Sequence, residues 1–317
     1  MLALLPSRGL SLPDASLQAI DAGPYLRALE PQLKRFANQT PGLVAISVLD
    51  LHGGAEIDIN GDWNLPAASV IKVPVMVEVM RQVTLRRFTL DREVTLLPGD
   101  RDCGYGHLCY VRAGARFSVS NLVRIMIENS DNTATNMLIR LVGRYHINQT
   151  MAGLGLTQTY LGDYIRSAGD IRSLRTSAND MKQLFFMISA HRLINEQASD
   201  VMLAILNGQR HNKFLPKALP HGVEIAHKTG TLHDTLNDVG IVNLAGAPYV
   251  ICVLTTHLRD LDDGARLIRR ASRATFETFR AVSVAAHNAQ AGPSPSPLLE
   301  SSPEPSETAQ PSPTPSI

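Results

Sequence analysis

The sequence predicts an α+β fold in which an antiparallel sheet, flanked by helices, is interrupted by an inserted all-α segment. Three observations favour this fold. Strand-like runs occur before residue 60 and again at 223–256, helical periodicity dominates the region between them, and a helical pattern follows the last strand. Strands, then helices, then strands indicate an α+β domain that carries a helical insertion. With 317 residues, 44% of them hydrophobic, the chain is long enough to bury a large core.

The individual elements follow from the spacing of apolar residues. Leu17–Gln39 has helical spacing, and Leu43–Leu49 followed by His52-Gly53-Gly54 and the alternating run Ala55–Ile59 is typical of a β-hairpin. Helices within the insertion are predicted at Val73–Thr84, Ser120–Ile127, Thr133–Val142 and Ala178–Ser189. Three later strands are predicted at Val223–Thr229, Asp238–Leu244 and Tyr249–Thr256, and a final helix at Leu261–His287.

The domain boundaries follow from composition. We expect an N-terminal extension over 1–16, one globular domain over 17–290 and a tail over 291–317. The sheet-bearing part of the domain covers about 17–62 and 222–290, and the all-α part about 63–221. The tail is rich in Pro and Ser and cannot bury apolar surface, so we expect it to be disordered. The apolar N-terminal run is shorter than that of a signal peptide and no basic residues precede it.

Charge and cysteine content limit the partners that the chain can have. The formal net charge of +1 and the absence of basic runs argue against nucleic acid, and no apolar run is long enough to span a membrane. No nucleotide, flavin or metal motif is present, so no cofactor is expected.

Cys103 and Cys109 can form a disulfide or remain free thiols, whereas Cys252 lies in an apolar run and is expected to be buried.

Three short motifs carry chemistry. They are Ser69-Val70-Ile71-Lys72, Ser130-Asp131-Asn132 and Lys228-Thr229-Gly230. Each alone has an ordinary explanation, such as a helix cap or a solvated lysine. Their common order, on a predicted helix, a loop and a strand, is a strong signal for a penicillin-recognising serine enzyme.

The residue types suit nucleophilic catalysis. A serine hydroxyl needs a base, and residues three apart share one helix face, so Lys72 can reach Ser69 if the helix begins at about Ser69. A lysine acts as a base only when its pKa is lowered, and arginine cannot do so. Only six of the 30 basic Lys and Arg residues are lysines, and two of the six lie in the motifs.

The motifs resemble those of class A β-lactamases and related penicillin-recognising serine hydrolases. Leu65–Pro74 is similar to the family's nucleophile helix, Ser130–Asn136 to its second motif, and His227–Gly230 with Asn237–Gly240 to its third. The resemblance spans about residues 25 to 285.

This resemblance implies a role for each motif residue. Ser69 is implied as the nucleophile, with Lys72 and Ser130 transferring protons, and the backbone N–H groups of Ser69 and Thr231 forming the oxyanion hole. The residues implied to bind substrate are Asn132, Lys228, Thr229, Gly230 and Thr231. Tyr105 is either an aromatic wall of the cleft or an ordinary loop residue.

One expected residue is missing. Class A β-lactamases have a glutamate that activates the deacylating water, in a loop after the second motif. This chain has no Glu between Glu128 and Glu196, and the corresponding stretch, 161–170, also looks short. Asp163 or Asp170 is either a substitute base or an ordinary loop residue.

The sequence therefore predicts a hydrolase that forms an acyl-enzyme with a small β-lactam or with a peptidoglycan-like D-amino acyl bond. A β-lactamase, a D,D-peptidase and a sensor that is acylated once remain alternatives, because one scaffold hosts several activities. The family implies a periplasmic or extracellular location, and we expect a monomer. No metal-type partner spacing such as His-x-His accompanies His227 and His233, which flank the third motif, so a metal site is not expected.

Overall fold

The computed structural model describes residues 20–167 and 173–291. Its helices are α1 Gly23–Gln39, α2 Lys72–Thr84, α3 Val119–Glu128, α4 Asn132–Val142, α5 Arg144–Gly153, α6 Ala178–Ser189, α7 Glu196–Asn207 and α8 Leu261–Ala291. Its strands are β1 Leu43–Asp50, β2 Glu56–Ile59, β3 Leu65–Pro66, β4 Glu93–Thr95, β5 Arg116–Ser118, β6 Tyr160–Leu161, β7 Leu174–Thr176, β8 Glu224–Thr231, β9 Leu236–Asn243 and β10 Tyr249–Thr256.

A five-stranded antiparallel sheet organises the fold. Its strand order is β2-β1-β10-β9-β8, so that β8, which carries the third motif, is an edge strand. Strands β3, β7 and β6 pair in a second small sheet, and β4 pairs with β5. The predicted α+β fold, with an antiparallel sheet and a helical segment between its strands, is confirmed.

The central sheet is buried on both faces. On β10, Ile251 and Val253 belong to the core shared with α1 and α8, whereas Val250 and Leu254 belong to the core shared with the helical segment. This separation follows from the two-residue alternation of side chains along a strand. Cys252 is a buried free thiol, as its apolar surroundings predict.

Several boundaries differ from those predicted. Helix α1 begins at Gly23 rather than Leu17, with Pro24 in its first turn, where a proline fits because no N–H is needed. Helix α8 continues to Ala291 rather than ending at His287.

Residues 1–16 and 292–317 lie outside the described residues. Within the described ranges, no helix combines the length and apolar character needed to cross a membrane.

Candidate active site

A cleft of about 500 Å³ collects residues from all three motifs. Ser69, Ser130 and Asn132 line it, together with Thr229 and Thr231 of the edge strand β8. Lys72 and Lys228 are fully buried beneath these residues. The structure thus brings together side chains that are more than 150 positions apart in the sequence.

The backbone at Ser69 is more constrained than the sequence predicts. Ala68–Ile71 forms a 3-10 turn that leads directly into α2 at Lys72, so the helical segment begins at about Ser69, as expected, but its first turn is 3-10 rather than α. Ala68 has φ +48°, in the left-handed region that residues with a Cβ avoid. Asn237 holds the turn by donating from Nδ2 to the carbonyl oxygens of Pro66, at 3.0 Å, and Ala67, at 3.1 Å. Such strain is typical of functional sites that the surrounding structure holds in place.

Gly230 allows β8 to lie directly against this turn. A Cβ at Gly230 would lie 3.0 Å from the Ala67 carbonyl oxygen and 3.1 Å from the Ser69 nitrogen. The segment that comes this close to Gly230 is therefore the 3-10 turn that carries Ser69. Its expected role in letting substrate approach the strand stays a prediction.

Lys72 is held by three oxygens. Its Nζ donates to the carbonyl oxygen of Ser130 at 2.5 Å, to Ser130 Oγ at 3.2 Å and to Asn132 Oδ1 at 2.8 Å. Burial, followed by the positive charge of Lys228, lowers the pKa of Lys72 well below its ordinary value of 10.5. Asp131 and Asp102 act in the opposite direction. The amine is thus placed to become neutral far more easily than an exposed lysine.

Ser130 Oγ lies between the two buried lysines. Lys228 Nζ donates to it at 3.0 Å, in addition to the 3.2 Å bond from Lys72. Burial lowers the pKa of Lys228 to about 7, although the carboxylate of Asp238 raises it. The hydroxyl is therefore placed to pass a proton between either lysine and a group in the cleft.

Asp131 shapes the turn that presents Ser130. Its carboxylate accepts from the backbone N–H groups of His107, at 2.6 Å, Leu108, at 2.9 Å, and Ala134, at 2.8 Å. The last of these bonds caps the N-terminus of α4. Ser130 has φ +56°, a second left-handed residue in the cleft. Asp131 thus holds the strained turn of the second motif through three hydrogen bonds.

Tyr105 lines the cleft from a loop closed by a disulfide. Cys103 and Cys109 are bonded, with a Cα–Cα distance of 5.3 Å, which settles the alternative that the sequence left open. The Tyr105 carbonyl accepts from the Asn132 N–H at 3.0 Å, and its hydroxyl lies 3.2 Å from Nδ1 of His211. Burial, then the charge of Lys228, lowers the pKa of His211. Tyr105 and His211 therefore meet at one wall of the cleft.

The sequence model of the β-lactamase enzyme family matches residues 28–279. The chain belongs to the β-lactamase enzyme family. The solved structure of PBP-A is 30% identical in sequence, superposes with a TM-score of 0.76, and is matched over 97% of its length by 81% of this chain. A β-lactamase from Sphaerobacter thermophilus is 28% identical with a TM-score of 0.74, covering 83% of this chain and 99% of that one.

Curated relatives are more distant. A β-lactamase from Kitasatospora aureofaciens is 26% identical over 270 residues, which is 81% of this chain and 85% of the relative. The chain spans 43% of the length of the β-lactamase regulatory protein BlaB from Streptomyces cacaoi and 66% of the β-lactamase BRO-1 from Moraxella catarrhalis. The relatives that this chain resembles thus include proteins named as β-lactamases and one named as a β-lactamase regulatory protein.

The loop in which class A β-lactamases carry their glutamate contributes Asp163 and Ser167 to the cleft wall. The Asp163 side chain is 61% exposed and lies 3.6 Å from Arg144 Nη1, so this carboxylate has a cationic partner of its own. Asp170 lies outside the described residues. Neither position is identified here as a base.

His227 corrects one expectation from the sequence. Its Nδ1 lies 2.8 Å from Asp238 Oδ1, and its Nε2 lies 3.0 Å from Asn212 Oδ1. No carboxylate is adjacent to His227 along the chain, but antiparallel pairing of β8 with β9 brings Asp238 from the next strand. Within the described ranges, no group of three or more His, Cys, Asp or Glu side chains could hold a metal ion.

Two residues of the site were not found from the sequence. Asp102 hydrogen-bonds to Asn132, and His211 lies against Tyr105. Neither belongs to a motif, and each lies in a loop among other polar residues, from which nothing in the sequence distinguishes it. Only the proximity of Asp102 to Cys103 could have drawn attention to it.

Proposed function

We propose that this chain is a serine hydrolase that forms an acyl-enzyme with β-lactams through Ser69. The observation that carries the proposal is the environment of Lys72, a fully buried amine with a lowered pKa, three residues after a serine that lines a cleft. Such an amine can act as a base at neutral pH, as an activated serine requires. The class A-type β-lactamase is the first candidate for the overall activity.

Acylation would proceed by two proton transfers. Neutral Lys72 takes the Ser69 hydroxyl proton while Oγ attacks the lactam carbonyl carbon, and the N–H groups of Ser69 and Thr231 stabilise the resulting oxyanion. The ring C–N bond then breaks, and the nitrogen takes the Ser130 hydroxyl proton. Ser130 recovers a proton from Lys72 or Lys228, both within 3.2 Å of its Oγ. The product is an ester on Ser69.

The remaining motif residues would bind the substrate. Lys228 offers a cation and Thr229 a hydroxyl at one end of the cleft, which suits the carboxylate that β-lactams and D-alanyl peptides share. Asn132 keeps one amide N–H available for the acyl side chain, since an amide NH₂ group has two donors. Tyr105 supplies an aromatic wall.

Deacylation should be the slow step. The described part of the loop offers Asp163, which is exposed and paired with Arg144, in place of a glutamate. General-base assistance contributes about 10²- to 10⁴-fold to such a step. We therefore expect a fast burst near one equivalent, followed by slow turnover.

A chromogenic cephalosporin under single- and multiple-turnover conditions tests this proposal, together with intact mass spectrometry of a penicillin adduct. Wild type should show a burst and an adduct that persists for minutes, and Ser69→Ala should show neither. If Asp163 or Asp170 is the base, its replacement by alanine should lengthen the adduct lifetime. If neither is, Asp163→Ala and Asp170→Ala should leave that lifetime unchanged. Rapid turnover without a burst, or labelling of Ser69→Ala, would contradict the proposal.

A D,D-peptidase is the second candidate, favoured by the missing glutamate and by the likeness to PBP-A. A PBP-A mutant has been solved as an acyl-enzyme with penicillin G. Release of D-alanine from a D-alanyl-D-alanine peptide, lost in Ser69→Ala, would favour the peptidase. Acylation without turnover of either substrate would favour a sensor.

The location and assembly are also proposals. We propose export to the periplasm or the cell exterior, and the Cys103–Cys109 disulfide supports it because disulfides persist in oxidising compartments. We propose a monomer, which gel filtration with light scattering would test.

A further inference from the structure

The carboxamide of Asn132 has both of its polar atoms engaged. Oδ1 accepts from Lys72 Nζ at 2.8 Å, and Nδ2 donates to Asp102 Oδ1 at 2.7 Å. An ionised carboxylate only accepts, so Asp102 permits only the orientation that turns Nδ2 toward Asp102 and Oδ1 toward Lys72. Without Asp102, this constraint on the orientation of the amide would be lost.

Asp102 is itself firmly anchored. Besides Asn132 Nδ2, its carboxylate accepts from the N–H of Gly104 at 3.1 Å and from the N–H and hydroxyl of Ser167 at 2.7 and 2.5 Å. Its backbone is bonded in both directions to the Thr133 hydroxyl, at 3.1 Å each. One carboxylate thus joins the second motif, the disulfide loop and the 163–167 loop.

This bonding pattern suits a fixed acceptor. Oδ1 of Asp102 accepts from Asn132, Gly104 and the Ser167 hydroxyl, and Oδ2 accepts from the Ser167 N–H, so most of the acceptor capacity of the carboxylate is already in use. Burial raises the pKa of Asp102, but the donors from Ser167, Asn132 and Gly104 outweigh it and hold the pKa below its ordinary value. The group remains a carboxylate at neutral pH, as an orienting acceptor must.

We propose that Asp102 is a positioning residue for acylation, which fixes the Asn132 carboxamide so that its oxygen faces Lys72. The inference rests on the proposed acylation of Ser69. Asp102 acts through Asn132 and also through its negative charge, which raises the pKa of Lys72, as that of Asp131 does, and so opposes the effect of Lys228.

The two effects predict different readouts. Asp102→Asn replaces the charge-assisted hydrogen bond by a neutral one and introduces an NH₂ group that can donate to a flipped Asn132 amide. The acylation rate constant should therefore fall about 10- to 100-fold, the range expected for a hydrogen bond to a charged group. Loss of the charge should also lower the pKa of Lys72 further, because Asp102 raises it. Since Lys72 must be neutral to act as a base, the acidic limb of the rate profile should move to lower pH.

The experiment measures penicillin acylation by stopped flow between pH 5 and pH 9 for wild type, Asp102→Asn and Asp102→Glu. Asp102→Glu keeps the charge and moves the carboxylate, so its rate should fall while its acidic limb stays near that of wild type. If Asp102→Asn folds poorly, which a thermal melt would reveal, Asp102→Glu still tests whether the position of the carboxylate matters. Asp200→Asn, the same change at an exposed carboxylate on α7, should acylate like wild type.

A double-mutant cycle decides whether Asp102 acts through Asn132. Adding Asp102→Ala to Asn132→Ala should reduce the rate by much less than Asp102→Ala does in wild type. An unchanged rate in Asp102→Asn, or an equal loss in both backgrounds, would overturn this inference alone. A wild-type chain that is never acylated would overturn the proposed function and this inference with it.

Discussion

At the scale of single residues, the proposed chemistry depends on the protonation of two buried lysines. Lys72 and Lys228 share the hydroxyl of Ser130, so a proton on one disfavours a proton on the other. The lowered pKa of Lys72 suits a base, whereas Lys228 must remain cationic to attract a carboxylate. One position thus needs a neutral amine and the other a charged one, within a single hydrogen-bonded cluster.

Lys72→Arg should abolish rapid acylation while keeping a positive charge in the cluster. A guanidinium cannot release its proton in a protein, so the base is lost and the rate should fall by about 10²- to 10⁴-fold. The rate of labelling by a fluorescent penicillin measures this. Lys182→Arg is the matched control, since Lys182 is also largely buried but pairs with Glu56 at 2.6 Å, away from the cleft residues. Equal labelling of wild type and Lys72→Arg would contradict the role of Lys72.

Substrate capture should weaken as the pH rises. Burial lowers the pKa of Lys228 to about 7, so the free enzyme loses this positive charge above that pH. A substrate carboxylate stabilises the ammonium form of Lys228. The alkaline limb of the rate profile should therefore lie at higher pH in the enzyme–substrate complex than in the free enzyme. The pH profile of the second-order acylation constant should therefore fall on its alkaline side before that of the first-order step does. Profiles that are flat and parallel up to pH 9 would count against Lys228 as the carboxylate partner.

At the scale of elements, the side chains of Ser69 and Ser130 are presented by short turns rather than by α-helices or strands. Ala68 and Ser130, both left-handed, lie directly before or within the motifs, and Asn237 and Asp131 hold the two turns. The loop from Cys103 to Cys109 packs on the second of these turns. The disulfide therefore braces one wall of the cleft.

Removing this disulfide should destabilise the protein modestly and loosen the wall. For a loop with a sequence separation of 6, chain entropy predicts a loss of about 2 kcal/mol. Urea denaturation of the double variant Cys103→Ser/Cys109→Ser should show this loss, and reductant should have the same effect on wild type. Reductant should leave the double variant unchanged, because Cys252 is a buried free thiol. Wild type that is insensitive to reductant would show that the bridge contributes no stability.

At the scale of the whole molecule, the cleft lies where the central sheet meets the helical segment. Strand β8 brings Lys228 and Thr229 from one side, and α2 and α4 bring Lys72 and Asn132 from the other. The domain that carries these elements was predicted to end at residue 290. The division into a sheet-bearing part and an all-α part at about residues 63 and 221 also remains a prediction.

Shortening the chain at Gln290 should leave the domain intact. The residues that follow are mostly Pro, Ser and other polar types, which offer few apolar side chains to a core. The shortened chain should keep the melting temperature and the acylation rate of the full chain. A decrease of several degrees in the melting temperature would show that the tail packs on the domain.

The sequence by itself determined the fold class, most helices and strands, and the residues of the three motifs. Hydrophobic periodicity is local, so it identifies elements without knowledge of their neighbours. The occurrence of all three motifs also predicted that Ser69, Ser130 and Lys228 would lie together, and they do.

Only the tertiary structure decided which residues complete the site. Asp102 meets Ser167 across 65 positions, and His227 meets Asp238 across a strand pair. The left-handed backbone of Ala68, the 3-10 turn around Ser69 and the closure of the Cys103–Cys109 bridge likewise depend on contacts from distant segments. Hydrogen bonds between isolated polar side chains leave no periodic signal, because each depends on where the folded backbone places both partners.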